Sequence, residues 1–254
     1  MALRIAFDLD GVLADMENKL VHHAETLFGE AMTRRLQERA PDVDSNGEAT
    51  PAKAAESESD GQGKTETPPA NTPPLLKLNM TARQERRLWQ HVQSIQNFWE
   101  TLEEIEPGVI ERLAAVAADH RWEIIFFTKR PETVGSTSQV QSQRWLQSKG
   151  FTLPSVYVVQ GSRGRIAAAL GLDVVIDDRP ENCLDVVIDS KARAILVWRD
   201  EETQVPVAAN RLGIGVVKSV DQCLNILIQI DSPGPEKPGI IDRAMQLLGL
   251  KQPA

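Results

Sequence analysis

Ile5-Ala6-Phe7-Asp8-Leu9-Asp10-Gly11-Val12-Leu13-Ala14-Asp15 is the stretch from which a fold can be argued. Leu3, Ile5, Ala6 and Phe7 form a short apolar run, the pattern of a buried strand. The run stops on Asp8 and Asp10, with Gly11 behind them. Residues two apart in an extended chain point to the same side, so both acids are expected to face one spot at the strand's C-terminal edge. Open α/β sheets bind their ligands at that edge. Two carboxylates so close repel each other unless a cation or a shared proton relieves them, and a divalent metal is the usual relief. The plainer account is a strand ending in an acidic turn, since Asp and Gly are common turn residues.

After Asp15 the spacing becomes helical: Leu20, Ala24, Leu27 and Ala31 recur every three or four residues, predicting a helix to about Arg39. His22 and His23 on it have no partner at metal-ligand spacing and read as helix surface. From Pro41 to Pro74 Val43 is the only aliphatic residue larger than alanine. Such a segment cannot bury enough apolar area to offset its ordering entropy, so 41–78 is expected to be a disordered insertion. Order returns at Asn79, where Thr81 and Gln84 match a capping box. Leu88, Val92, Ile95, Trp99 and Leu102 then form one helical stripe, with Trp89 and Phe98 beside it. Packing is the ordinary role for these aromatics, and stacking on a nucleobase is the functional one.

Glu106-Pro107-Gly108 ends that region. Helix is expected from Val109 to Ala118, then strand from Trp122 to Phe127, ending at Thr128. Helices and short apolar strands alternate beyond: Gln139–Ser148, Ser155–Val159, Arg165–Leu170, Val174–Ile176 and Ala194–Val197. This alternation predicts an α/β protein whose parallel sheet carries helices on both faces. The expected core is 1–15 with 107–230, and 16–106 is a helical cap inserted after the first strand. Residues 231–254 read as a Pro/Gly linker and an amphipathic helix that packs on its own domain, contact with a second copy being the lesser reading.

A net charge of −8 makes the chain a poor partner for nucleic-acid polymers or anionic membranes. Two cysteines, Cys183 and Cys223, provide neither a disulfide framework nor metal-ligand spacing, which suits a reducing cytoplasm. Acids interrupt the N-terminal apolar run too early for a signal peptide, and no run approaches the ~20 apolar residues of a membrane span.

Further features accompany the first acids. Thr128, followed by Lys129-Arg130-Pro131, stands at a strand's end, where a Thr is most often a turn or capping residue. Gly161-Ser162-Arg163-Gly164-Arg165 opens a helix, a place that favours an anion, although arginines there are usually solvated surface. Val174-Val175-Ile176 ends on Asp177-Asp178, followed by Arg179-Pro180-Glu181-Asn182. In this order, each at a strand's end or a helix's start, the set points to one functional site rather than to separate turns.

Asp8-Leu9-Asp10-Gly11-Val12-Leu13-Ala14-Asp15 resembles the first motif of the haloacid-dehalogenase superfamily, and within it the cytosolic 5'(3')-deoxyribonucleotidases. The resemblance covers the first fifteen residues and most of 97–197. It implies a Rossmann-like core and Mg²⁺-dependent hydrolysis of a nucleoside monophosphate through an aspartyl-phosphate. Asp8 is then the nucleophile and Asp10 the general acid and base. Asp177 joins Asp8 and the Asp10 carbonyl around Mg²⁺, with Asp178 in support. Thr128 is expected to donate to a phosphoryl oxygen. Family members generally place a lysine where Arg163 stands, so Arg163, or else Lys129, supplies that charge. Asn97-Phe98-Trp99-Glu100 is similar to a cap segment of the nucleotidases, which points Phe98 or Trp99 at substrate. A sugar phosphate or other small phosphomonoester is the neighbouring alternative. A catalytically silent binding protein is the alternative of another class, kept open by Arg163 and by the insertion.

Overall fold

The computed structural model describes residues 2–29, 80–201 and 204–231. The expected insertion at 41–78 and the C-terminal helix lie outside them. Six parallel strands form one sheet in the order β3-β2-β1-β4-β5-β6, with β1 (Arg4–Asp8), β2 (Glu123–Thr128), β3 (Ser155–Val158), β4 (Val174–Asp177), β5 (Arg193–Val197) and β6 (Gly215–Val217). The chain winds outward through β2 and β3 on one side of β1, then returns to wind through β4, β5 and β6 on the other. The order therefore reverses beside β1, where the crevice above the strand ends forms.

Alternation along the strands divides the interior into two apolar layers. Ile5, Phe7, Phe126 and Ile176 join one layer, covered by α3 (Val109–His120), α4 (Ser138–Ser148) and α8 (Val220–Asp231). Ala6, Ile125, Phe127 and Val175 join the other, covered by α5 (Arg163–Leu170), α6 (Pro180–Asp189) and the short α7 (Val207–Arg211). Both faces of β1 and β4 are thus buried, which is why these strands read as unbroken apolar runs. Among the described residues, no helix is long and apolar enough to cross a membrane.

Close packing of α5 on α6 depends on Gly164. A Cβ there would overlap the Asp185 carbonyl oxygen and lie 2.7 Å from Asp189 Cβ. Gly164→Ala improves helix propensity by about 1 kcal/mol, but backbone cannot yield as a flexible side chain does. The variant is expected to lose about 2 kcal/mol net, lowering Tm by roughly 4–8 °C in thermal circular dichroism. An unchanged Tm would show that the two helices separate freely.

The helices between β1 and α3 differ from expectation in two ways. α1 (Met16–Phe28) ends at Gly29, whose φ of +86° favours glycine, and the rest of the helix expected to Arg39 lies outside the described residues. α2 (Ala82–Ser94) has the full Thr81/Gln84 capping box, but ends before Ile95. The apolar stripe therefore does not continue as one helix: Asn97 takes φ +50° and a short 3-10 helix, Phe98–Thr101, follows. Its Trp99 amide donates to Gln141 Oε1 at 3.0 Å, and Ser136 N donates to Asn97 Oδ1 at 2.9 Å, so tertiary hydrogen bonds override the helical period. His23 is not simple surface either. Its Nδ1 lies 3.2 Å from His91 Nε2, and its ring packs 5.5 Å from Phe98. Burial and the facing His91 lower its pKa.

The crossings into and out of this helical segment are bonded to each other. Asp15 N donates to Glu103 O and Ile105 N to Leu13 O, each at 2.9 Å, around an antiparallel bridge between Ala14 and Glu104. Arg199, just after β5, donates to the carbonyls of Gly11 (2.6 Å) and Val12 (3.0 Å) and to Glu106 Oε1 (2.6 Å). Glu106 in turn accepts from the amides of Val220 (2.9 Å) and Asp221 (3.1 Å) at the start of α8.

Candidate active site

Strand register delivers the acids. Phe7 pairs with Ile176, so Asp8 and Asp177 end neighbouring strands, and Asp8 also lies opposite Phe127, one residue before Thr128. Asp8, Thr128, Arg163 and Asp177 are all buried, an unusual concentration of polar groups at one edge of a hydrophobic sheet.

Arg163, the first residue of α5, reaches over the Phe127 ring into this edge. Its Nη2 donates to Asp8 Oδ1 at 2.5 Å and its Nε lies 3.7 Å from Asp177 Oδ2. Its Nη1 is buried with no hydrogen-bond partner. Arg163 can enter because Gly164 brings α5 against α6. Arg165, by contrast, is exposed and faces Asp189.

Burial raises the pKa of Asp8 well above the ordinary carboxylate range. Arg163 opposes that shift, while Asp177, Asp178 and Asp10 add to it. Burial also raises Asp177, against Arg163 and against hydrogen bonds from the Arg179 amide (2.9 Å) and Asn182 Nδ2 (3.0 Å). Asp178 is pushed up to about 7, by burial first and by Asp177 second. Its Oδ1 is buried without a partner, and its carboxylate fills the space that a side chain on Gly11 (φ +86°) would need. These acids stand close enough to titrate against one another, and their chemistry suits a hard divalent cation: carboxylate oxygens, one orphaned. Among the described residues, no three His, Cys, Asp or Glu side chains are spaced as a ready metal cage, and Arg163 lies between Asp8 and Asp177.

Asp10 lies near enough to Asp8 to raise its pKa, but its carboxylate is bonded to partners of its own. β1 ends at Asp8, and the chain turns there, with Leu13 N and Ala14 N donating to Leu9 O at 2.9 and 2.7 Å. The chain is no longer extended at Asp10, so the turn and its hydrogen-bond partners place that carboxylate. Its carboxylate is gripped by Arg130: Nε donates to both oxygens at 3.0 Å and Nη2 to Oδ1 at 2.7 Å. Thr128 Oγ1 donates to Asp10 Oδ2 at 3.0 Å, rather than being held for a phosphoryl oxygen alone. Any metal contact from Asp10 would come from its carbonyl.

The remaining expectations are corrected. Lys129 is exposed, and its neighbour Arg130 is the buried cation. Phe98 and Trp99 are 0% exposed, stacked edge to face at 4.9 Å, so neither offers a face to substrate in this arrangement. Asn182, Arg199 and Arg130 have roles that no local pattern announced.

No protein-family model matches the chain, and no curated protein does. Solved structures do match. A Thermotoga maritima protein assigned as a beta-phosphoglucomutase superposes with TM-score 0.51 at 17% identity, over 89% of this chain and 99% of its own. The fold is the Rossmann-like fold of the haloacid-dehalogenase type. A HAD family hydrolase from Deinococcus radiodurans R1, with bound phosphate and sodium, aligns at TM-score 0.47 and 19% identity, over 90% of this chain and 96% of its own. A haloacid dehalogenase-like hydrolase from Streptococcus pneumoniae aligns at 0.45 and 11%, over 89% and 98%.

Proposed function

We propose that the chain is a phosphomonoesterase working through an aspartyl-phosphate, with a nucleoside monophosphate as its substrate. The observation that carries this reading is the meeting of Asp8, Asp177 and the partnerless Nη1 of Arg163 at the switch point of the sheet. An anionic nucleophile approaches a doubly negative phosphate only where positive charge is already in place.

In the first step an Asp8 oxygen attacks phosphorus in line. The bond from phosphorus to the ester oxygen breaks, and that oxygen leaves with the electron pair and takes a proton from the Asp10 carboxyl. In the second step water attacks the same phosphorus and gives its proton to Asp10. The bond to Asp8 breaks, restoring the Asp8 carboxylate and releasing inorganic phosphate. Arg163 offers Nη1–H to the transferring group and exchanges its hold on Asp8 for a phosphoryl oxygen. Asn182 and the Arg179 amide orient Asp177. Mg²⁺, held by Asp8, Asp177, Asp178 and the Asp10 carbonyl, would supply charge neutralisation when bound.

The nucleotide half of the reading stands on the first motif's resemblance to the deoxyribonucleotidases. A sugar phosphate is the second reading, favoured by the burial of Phe98 and Trp99, which removes the aromatic platform a base would use. A panel of dUMP, dTMP, glucose 6-phosphate and p-nitrophenyl phosphate, assayed with and without Mg²⁺, tests both. The expected result is Mg²⁺-dependent turnover with preference for the nucleotides. Preference for glucose 6-phosphate would replace the substrate class. No turnover of any ester would favour the silent binding protein and end the enzymatic reading.

A further inference from the structure

Arg130 takes no part in the steps above, yet it is among the most enclosed side chains of the molecule. Its side chain is 0% exposed. A buried guanidinium is costly unless every face of it is engaged, and here the surroundings do engage it. One edge grips both oxygens of Asp10 through Nε and Nη2. Nη1 donates to Ser142 Oγ at 2.9 Å, and that hydroxyl donates to Ser138 O at 2.7 Å. The guanidinium carbon lies 5.1 Å from the Trp99 ring and 5.6 Å from the Trp145 ring, within cation–π range of both. The indoles are themselves tethered: Trp99 Nε1 donates to Pro131 O at 2.9 Å and Trp145 Nε1 to Leu102 O at 2.8 Å.

Such a chain of supports fixes an orientation. A fork held on one edge, one end and its flanks cannot rotate, so it presents a planar, two-pronged grip that a lysine could not reproduce. The carboxylate it grips belongs to the residue that moves the proton in the proposed reaction. Proton transfer to a leaving oxygen depends on distance and angle, and small misplacements are expensive.

We infer that Arg130 is the positioning residue for Asp10: boxed between Trp99 and Trp145, it holds the carboxylate in the orientation from which the leaving oxygen is protonated. The inference rests on the phosphomonoesterase reading. It also gives Trp99 a role different from stacking on substrate, because the segment between α2 and α3 reaches the proton donor through this indole.

Leaving groups provide the test. An alkyl phosphate expels an alkoxide that needs its proton, whereas p-nitrophenyl phosphate expels a phenolate that leaves without one. General acid catalysis contributes about 10²–10⁴-fold. For R130M, kcat/KM on the alkyl ester that the wild type turns over, dUMP or glucose 6-phosphate, is expected to fall by roughly 100-fold. The loss should lie mainly in kcat and exceed the loss on p-nitrophenyl phosphate by about tenfold or more. R130K should recover only part of the difference. S142A, which removes only the tie to Nη1, should show a smaller loss with the same bias, and it keeps the test open if R130M fails to fold. Equal losses on both esters, or none, overturn the inference. A wild type that turns over neither ester overturns the phosphomonoesterase reading, and the inference with it.

Discussion

Asp8→Asn abolishes phosphoester turnover, by about 10³-fold or more, while the chain stays folded. The amide keeps the shape of the carboxylate but is no nucleophile, and no neighbouring acid can replace it, because Asp177 points to Arg163 and Asn182 and Asp10 is held by Arg130. Stability is decided by two opposing effects. Loss of one member of a buried ion pair ordinarily costs about 3–5 kcal/mol, and Arg163 is such a partner. Yet the pKa of Asp8 is raised, so the cost of burying its charge among Asp177, Asp178 and Asp10 exceeds what Arg163 returns. Arg163 also keeps Asp177 as a counter-charge at 3.7 Å. The Tm of the variant at neutral pH is therefore expected to equal or exceed that of the wild type. Acid-quenched wild-type enzyme should carry a phosphoryl group on the peptide containing Asp8, detected by mass spectrometry, and the variant should not. Near-normal turnover by Asp8→Asn would exclude the covalent route.

The second large effect is on stability against pH in the presence of a chelator. Asp178 has a folded-state pKa of about 7 against an ordinary value of 3.8. Below the lower value it is protonated in both states and contributes no difference. Between the two values the folded chain holds a proton that the unfolded chain has released, so stability falls as pH rises through this window. Above about 7 the whole cost is present. Asp8 and Asp177 shift in the same direction. The loss between pH 4 and pH 8 is expected to be about 2–4 kcal/mol for Asp178, read from urea unfolding. Asp178→Asn should make the profile shallower by that share, leaving the slope due to Asp8 and Asp177. Mg²⁺ at pH 8 should restore stability to the wild type and much less to the variant. A wild type equally stable at pH 5 and pH 8 without metal would refute the buried-acid account.

The order of elements was legible from periodicity, because helices and strands of the core alternate with clean apolar patterns from Val109 to Val197. The elements left unassigned follow Ile176 or lie beyond Val197, and two of them give little local signal. β6 has three residues, too few for a period to show, and α6 opens on Pro180 inside the acidic motif. Most of the site residues could be named for a related reason, since the topology places strand ends at one edge and strand ends are where apolar runs stop. Arg130 was passed over because its meaning is non-local: Asp10 is 120 positions away in sequence. Lys129 drew attention as the residue type usual in such sites, but it stands exposed just past the end of β2. Trp99 looked like a substrate platform because an aromatic beside a polar motif admits both readings, and only packing separates them.

The paired crossings at Ala14 and Glu104, strapped by Arg199, have a consequence for sequence variation. They form a closed stem, and α1 and α2 are joined above it by contacts such as His23 with His91 and Arg87 over Phe28. Gly29 and Met80 therefore follow and precede helices already fastened to each other. The acids below are held by the stem itself, so a change of sequence at the ends of α1 and α2 reaches the chemistry only through those contacts.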